Sequence, residues 1–167
     1  MRLLVVRHAI AEDREAFAQT GQPDSERPLT ERGIRRMRLG AKGLRRIIDS
    51  IDLLATSPYT RAVQTAGAIE EYYTDLPVVV IEELVPDRPF SELIEWLQNQ
   101  ADADTIALVG HEPHLSTFVS FLLSNATESF IELKKGGVCL LEFDAQVAPG
   151  AGRLRWLLPP RLLRAIA

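Results

Sequence analysis

The sequence has a single cysteine and no long hydrophobic run, and both absences narrow what the protein can be. Cys139 lies inside the apolar stretch from Val138 to Leu141, so no disulfide framework can form and the thiol is expected in the core. No apolar run is long enough to cross a bilayer, and the first residues lack the layout of a signal peptide. We therefore expect a soluble, cytoplasmic protein with no membrane partner.

The chain also lacks an excess of positive charge, internal repeats and low-complexity segments. Its formal net charge of −4 at pH 7 argues against nucleic acid as a partner. The chain has 167 residues, of which 46% are hydrophobic, and this is enough to bury a substantial core. One domain spanning residues 1–167 is therefore predicted.

Apolar runs alternate with helical patterns along most of the chain, and this alternation predicts an α/β fold. Near the end, two apolar segments flank a turn-rich stretch and predict a hairpin. The predicted architecture is a single-domain three-layer sandwich with a mostly parallel central sheet, helices on both faces and a C-terminal antiparallel hairpin. Strands are predicted at residues 2–7, 51–56, 78–81, 105–110, 137–143 and 153–158, and helices from Thr30 and at residues 58–73, 91–99 and 113–123.

Arg7 and His8 come directly after the first predicted strand. A neutral imidazole is a good nucleophile near pH 7, and a neighbouring guanidinium offers a planar fork of donors that fits phosphate oxygens. The pair therefore suggests phosphoryl transfer through histidine. Taken alone, an Arg-His dipeptide is more often structural, so the interpretation depends on other parts of the chain.

A second junction between a strand and a helix lies at residues 55–62. Ser57 is predicted to be the N-cap of the helix and Pro58 its first residue, which places Arg61 in the first turn. A helix N-terminus has free N–H groups and a positive dipole end, so this arrangement favours an anion site. An ordinary capped helix with a solvated Arg61 is the alternative.

A third junction is the Gly110-His111 pair, which ends the predicted strand at residues 105–110. Ligands of open α/β sheets bind outside the carboxyl ends of the strands, so the three junctions are expected to converge on one crevice. A buried core histidine is the alternative at position 111. Gly110 favours function, because a glycine at this point allows close approach of the backbone.

Together these segments resemble the histidine phosphatase superfamily. The resemblance rests on Arg7-His8, on residues 27–33 (Arg-Pro-Leu-Thr-Glu-Arg-Gly), on residues 57–62 (Ser-Pro-Tyr-Thr-Arg-Ala) and on residues 109–111 (Val-Gly-His), in the order of the family. It runs from about residue 1 to residue 160. The short chain is most similar to the small SixA-type phosphohistidine phosphatases.

The resemblance implies a mechanism without metal or cofactor. His8 would attack phosphorus and form a phosphohistidine intermediate, while Arg7, Arg61 and His111 would bind the phosphoryl oxygens. Arg27 belongs to a segment typical of the family, where it would hold the loop after His8 or contact the substrate. The two arginines beside His8 would lower its pKa and keep it neutral.

The chain departs from the family in ways that bear on its substrate. Members that hydrolyse alkyl phosphates use a carboxylic acid to protonate the leaving group, and the candidates here are Glu82, Glu83 and Asp87, with Glu83 best placed by motif order. A leaving imidazole has a pKa of about 6.5, against about 16 for an alkoxide, so phosphohistidine needs little acid catalysis. The chain between residues 81 and 105 also leaves no room for a large lid.

Both departures favour a phosphohistidine-bearing protein as the substrate and partner, with a phosphotransfer-type domain as one possibility. Seven basic residues on the first helix would give it a face for an acidic phosphoprotein, although a solvated face explains them as well. Two alternatives remain, a metal-independent phosphatase of small phosphomonoesters and a non-catalytic phosphoprotein-binding module. The oligomeric state is open, with a monomer favoured.

Overall fold

The computed structural model describes residues 1–100 and 102–167, and their elements alternate as the sequence predicts. The strands are β1 (Arg2–Arg7), β2 (Leu53–Thr56), β3 (Val78–Val80), β4 (Thr105–Gly110), β5 (Val138–Glu142) and β6 (Arg153–Leu158). The helices are α1 (Arg14–Ala18), α2 (Glu31–Arg45), α3 (Thr60–Glu70), α4 (Phe90–Gln98), α5 (His114–Ser124) and α6 (Pro160–Ala165), with 3-10 turns at Asp24–Glu26 and Glu82–Leu84.

Within the described residues the six strands form one sheet in the order β3-β2-β4-β1-β5-β6. The first four run parallel, whereas β5 is antiparallel to β1 and β6 is antiparallel to β5. The last two strands are the predicted C-terminal hairpin. The mostly parallel sheet and the added antiparallel pair confirm the predicted α/β architecture.

Side chains on β1 alternate between two hydrophobic clusters, one on each face of the sheet. Leu4 and Val6 belong to the cluster under α2, α3 and α6, and Leu3 and Val5 to the cluster under α4 and α5. All four side chains are fully buried. Helices therefore cover both faces, which makes the fold a three-layer sandwich.

The helix α3 begins later than the sequence suggests. Ser57 is not its N-cap, and Tyr59 occupies that position without a side-chain cap bond. The Ser57 hydroxyl instead lies 2.9 Å from Nε2 of His111 and 3.4 Å from the backbone N of Tyr59. The prediction of an N-cap at Ser57 was wrong because this hydroxyl binds a residue from another strand end.

Two short helices were not predicted. In α1, which follows the nucleophile loop, Phe17 is buried and Asp13 caps the first turn by accepting a hydrogen bond from the Ala16 N–H at 2.9 Å. In α6, Leu163 is buried against α2. Both helices are short, and tertiary packing of one apolar side chain holds each. No helix among the described residues is long and apolar enough to cross a membrane.

Candidate active site

The sheet order brings the ends of β1, β4 and β2 side by side. Arg7 pairs in register with Gly110, and Thr56 pairs with Val109. Beyond these pairs, the His8 N–H donates to the Gly110 carbonyl at 3.0 Å, and the Ser57 N–H donates to the Val109 carbonyl at 3.0 Å. The three junctions that carry the candidate residues are therefore joined by backbone hydrogen bonds at one edge of the sheet.

A cavity of about 750 Å³ lies at this edge. Its innermost side chains are well buried, because His8, Arg61 and His111 are only 6%, 5% and 2% exposed. Exposed charged residues surround them. The candidate residues that line the cavity are Arg7, His8, Arg27, Arg61 and His111, and the exposed charged ones are Glu12, Asp13, Arg14, Asp87 and Lys135.

The imidazole of His8 is held in one tautomer. Its Nδ1 lies 2.7 Å from the carbonyl oxygen of Ala9. A carbonyl only accepts hydrogen bonds, so Nδ1 carries the proton and Nε2 keeps its lone pair. Burial, the largest cause, and the charges of Arg61 and Arg7 together lower the pKa of His8 to about 3, although the bond to Ala9 acts to raise it. His8 is therefore a neutral imidazole with an unprotonated Nε2 at physiological pH.

Ala9 follows the nucleophile directly, and the fold accommodates its methyl group. Ala9 is buried in the cluster beneath α2 and α3. Its N–H donates to Oγ1 of Thr65 on α3 at 3.0 Å, and this hydroxyl in turn donates to the Arg61 carbonyl at 2.7 Å. The backbone that orients His8 is thus connected to the helix that carries Arg61.

His111 faces the nucleophile across the cavity. Its ring centroid lies 5.2 Å from that of His8 and 4.8 Å from that of Tyr59. Burial, the largest cause, and the charges of Arg61 and His8 together lower the pKa of His111 to about 3. The ring is neutral, and the Ser57 hydroxyl at 2.9 Å from Nε2 holds it in place. Sequence analysis missed this role of Ser57 because a serine before Pro58 also fits an N-cap.

The two arginines are anchored to backbone carbonyls. Nη1 of Arg7 donates to the Leu133 carbonyl at 2.9 Å, and Nη1 of Arg61 donates to the Asp24 carbonyl at 2.7 Å. In the described part of the chain, Nε of each arginine is buried without a hydrogen-bond partner. Burial lowers the pKa of both arginines, although nearby carboxylates oppose the shift. Two guanidinium groups with unused donor capacity therefore flank His8, which suits a doubly charged oxyanion.

Asp24 links Arg61 to Arg27 and was not singled out in the sequence. Its Oδ2 lies 3.0 Å from Nη2 of Arg61, and its Oδ1 lies 2.8 Å from Nε of Arg27. Burial alone would raise the pKa of Asp24, but the hydrogen bond from Arg27 and the charges of both arginines hold it below its ordinary value. Arg27 also donates to the Glu12 carbonyl at 2.7 Å, so it fixes the loop after His8 while lining the cavity.

The sequence favoured Glu83 as the general acid, but other carboxylates lie at the cavity. Glu83 is half-buried on the 3-10 turn Glu82–Leu84 and is not among the described residues that line the cavity. Asp87 and Glu112 do line it. Burial raises the pKa of Glu112, against the hydrogen bond from Ser116 and the charge of Arg7. Glu112 follows His111 directly in the chain, whereas Asp87, one of the three carboxylates considered in the sequence, follows the 3-10 turn Glu82–Leu84.

The chain matches known proteins along this framework. Residues 3–85 match the sequence model of the histidine phosphatase superfamily, branch 1. An uncharacterized protein of Picosynechococcus is 32% identical over 147 residues, which cover 87% of each chain. The structure of the protein histidine phosphatase SixA complexed with tungstate aligns with a TM-score of 0.81 and 25% identity, covering 98% of this chain and 99% of that one.

A more distant structure shares the fold. The alpha-ribazole phosphatase from Shigella flexneri aligns with a TM-score of 0.71 at 19% identity and covers 96% of this chain and 97% of its own. The two solved structures are thus of phosphatases with different substrates, whereas the fold is common to them. The chain belongs to the histidine phosphatase superfamily, and its chemistry is that of a phosphatase.

Proposed function

We propose that this protein is a phosphohistidine phosphatase, in which His8 is the nucleophile and Arg7, Arg61 and His111 bind the phosphoryl oxygens. The observation that carries the proposal is the unprotonated Nε2 of His8, which its bond to the Ala9 carbonyl requires, in a cavity flanked by two guanidinium groups. Phosphoryl transfer depends mainly on positioning and on charge neutralisation. This cavity supplies both with its own side chains.

The reaction proceeds in two displacements. Nε2 of His8 attacks phosphorus, the P–N bond of the substrate breaks, and its electron pair goes to the leaving ring nitrogen. Because the other ring nitrogen of the substrate histidine is protonated, the leaving group is neutral imidazole. A water molecule then attacks phosphorus on His8, the new P–N bond breaks with its electron pair returning to Nε2, and inorganic phosphate leaves while the proton lost by the water passes to the solvent. Arg7 and Arg61 neutralise the charge on the phosphoryl oxygens in both steps, and His111 adds a neutral hydrogen-bonding ring.

The leaving group favours phosphohistidine over an alkyl ester. An imidazole has a pKa of about 6.5, so it departs without a strong acid, whereas an alkoxide, whose conjugate acid has a pKa of about 16, does not. Glu83, the acid that an alkyl phosphatase would need by motif order, lies outside the residues described as lining the cavity. The chemistry available at the site is therefore sufficient for a phosphoramidate.

The exposed charged residues around the cavity favour a protein as the carrier of that phosphohistidine. Between Val80 and Thr105 the described residues form one 3-10 turn and the helix α4, a segment too short to cover the cavity. Lys135 and Arg14 are exposed beside the cavity. A histidine projecting from a folded domain can reach His8 through such an opening, while a covered site would suit a small metabolite.

One observation favours a second candidate, a phosphatase of small phosphomonoesters. Glu112 lines the cavity, and burial raises its pKa, which are the two properties expected of a general acid. In this second candidate, Glu112 rather than Glu83 would be the general acid. The two functions differ in their need for Glu112, because an imidazole leaves without an acid and an alkoxide does not.

The test is phosphate release without added metal from three substrates, namely a phosphohistidine-bearing protein, a phosphoserine peptide and a sugar phosphate. We expect selective release from phosphohistidine, and we expect it to be abolished in His8→Ala. His114→Gln is the matched control, because His114 is the third histidine and is not among the described residues lining the cavity. Preference for the two esters would support the second candidate, and release that persists in His8→Ala would overturn the nucleophile assignment.

A further inference from the structure

A second, smaller cavity of about 80 Å³ lies beside the catalytic one. It is formed by the first half of α2, by Pro160 and Arg164 of α6 and by the turn at Lys135 and Gly136. Lys135 lines both cavities, and Ala9, the residue after the nucleophile, also lines the smaller one. A molecule that occupies the smaller cavity can therefore extend into the catalytic one.

The walls of this cavity are cationic. Arg36, Lys135 and Arg164 line it, and among the described lining residues there is no carboxylate. Other arginines of α2 are paired, since Arg35 contacts Glu31 at 3.3 Å and Arg38 contacts Glu71 at 2.7 Å. In contrast, the structure of residues 1–100 and 102–167 contains no ion pair to Arg36, Lys135 or Arg164.

The charges that act on Arg36 within this region are also positive. Burial and the charges of Arg32 and Arg164 lower the pKa of Arg36. Like charges that line one cavity repel each other, and an anion bound between them removes this repulsion. We refer to Arg36, Lys135 and Arg164 as the cationic cleft.

The backbone fixes the cationic cleft relative to the nucleophile. The N–H of Gly136 donates to the carbonyls of Arg7 and His8 at 3.0 and 3.2 Å, so the turn carrying Lys135 is bonded to the end of β1. On the other side, a Cβ at Gly33 would lie 2.1 Å from the Ile10 carbonyl oxygen, which shows how closely α2 packs on the segment after His8. The spacing between the cationic cleft and His8 is therefore rigid.

We propose that the cationic cleft binds carboxylate side chains of an acidic phosphoprotein while the phosphohistidine of the same protein occupies the catalytic cavity. The inference rests on the proposed function and names the surface chemistry of its partner. A guanidinium fork matches a carboxylate in a bidentate geometry, and a volume of about 80 Å³ admits a carboxylate head group. The cleft is too small for a nucleobase, and the net charge of −4 opposes binding of nucleic acid.

The test compares two substrates that carry the same phosphoramidate bond. One is an isolated histidine phosphotransfer domain with an acidic surface, phosphorylated with potassium phosphoramidate, and the other is phosphorylated N-acetylhistidine. The test variant is Arg36→Gln/Arg164→Gln, and the matched control is Arg35→Gln/Arg45→Gln, which removes two cations from α2 outside the cleft.

We expect the test variant to lose about tenfold in kcat/KM on the phosphorylated domain, mostly through KM, and less than twofold on phosphorylated N-acetylhistidine. Rising salt is expected to lower the wild-type kcat/KM on the domain and to have a smaller effect on the test variant. The control variant is expected to behave as wild type. Equal losses in the test and control variants, or equal losses on both substrates, would overturn the cleft proposal.

A failure of the proposed function would give a result distinct from a failure of the cleft proposal. In that case neither phosphoramidate substrate would release phosphate faster with wild-type protein than with His8→Ala. A binding assay with a labelled single-stranded oligonucleotide adds a separate arm, in which we expect no binding by wild-type protein at physiological salt. Oligonucleotide binding that is lost in the test variant would assign the cationic cleft to nucleic acid and overturn the proposal.

Discussion

The carboxylate of Asp24 lies 3.0 Å from Nη2 of Arg61, and the Asp24 carbonyl accepts from Nη1 of the same guanidinium at 2.7 Å. One residue of a loop thus engages both terminal nitrogens of an arginine on α3 whose side chain is only 6% exposed. The loop and the helix meet only in the folded chain, 37 residues apart. Asp24 therefore sets the position of Arg61 beside the nucleophile.

Replacing Asp24 by alanine is expected to lower the free energy of unfolding by about 1–3 kcal/mol, because it leaves the buried charge of Arg61 without its carboxylate. Urea denaturation measures the change. Asp49→Ala is the control, since Asp49 forms an exposed pair with Arg45 and should cost less than about 0.5 kcal/mol. If both variants lose the same stability, the Asp24 contact is not structural. Since the pKa of Asp24 is lowered in the folded state, its contribution is present above the unfolded pKa of about 3.9 and is lost as pH falls.

Acid should destabilise the protein through His8 and His111. The folded pKa of each is about 3, below the unfolded value of about 6.5. Between these values the unfolded chain binds more protons, so the free energy of unfolding falls as pH decreases through this window. Near pH 5 we expect a slope of up to about 1.4 kcal/mol per pH unit for each histidine.

Urea denaturation between pH 5 and 7 in phosphate-free buffer measures this slope. His8→Gln is expected to reduce the slope by up to about 1.4 kcal/mol per pH unit, which corresponds to one titrating group. Arg35→Gln should leave the slope unchanged. A slope that does not differ between wild type and His8→Gln would contradict the low pKa of His8.

Glu112 and Glu83 should differ in how strongly their substitution lowers the hydrolysis of alkyl phosphates. Glu112→Gln is expected to lower any turnover of glycerol phosphate by about 100-fold or more, because it removes the acid that would protonate the alkoxide. Its effect on phosphohistidine should be much smaller, since imidazole leaves without that acid. Glu83→Gln is the comparison and should change neither activity. Steady-state kinetics on both substrates measure these effects. A loss of glycerol phosphate turnover in Glu83→Gln that exceeds the loss in Glu112→Gln would contradict the role of Glu112 as the acid.

Two helical glycines should respond in opposite ways to alanine. A Cβ at Gly33 would lie 2.1 Å from the backbone oxygen of Ile10, so Gly33→Ala must displace the segment after His8 and should cost more than about 2 kcal/mol. A Cβ at Gly67, on α3, would meet no other heavy atom within 4 Å among the described residues. Gly67→Ala should therefore stabilise the protein by about 0.5–1 kcal/mol. Thermal unfolding of both variants checks the pair, and similar shifts in Tm would contradict the close packing at Gly33.

Local patterns predicted most of the fold correctly. Strands β1 and β4 and the start of α2 at Thr30 were recognised from apolar runs and a capping residue, because these signals act within a few residues. The start of α3 was not, since the Ser57 hydroxyl binds His111 on a different strand end. The helix α1 was missed because a single buried side chain, Phe17, holds it against the rest of the protein.

The sequence by itself determined which residue types stand at the three strand ends, because a strand, a turn and a helix each leave local patterns. The motifs at these strand ends also indicated the family of the protein. Only the tertiary structure decided that Asp24 holds Arg61 and Arg27, that Glu112 rather than Glu83 lines the cavity, and that the arginines of α2 separate into paired and unpaired groups. These relationships join residues far apart in the chain. Their distances depend on the sheet order and on burial, which no local pattern encodes.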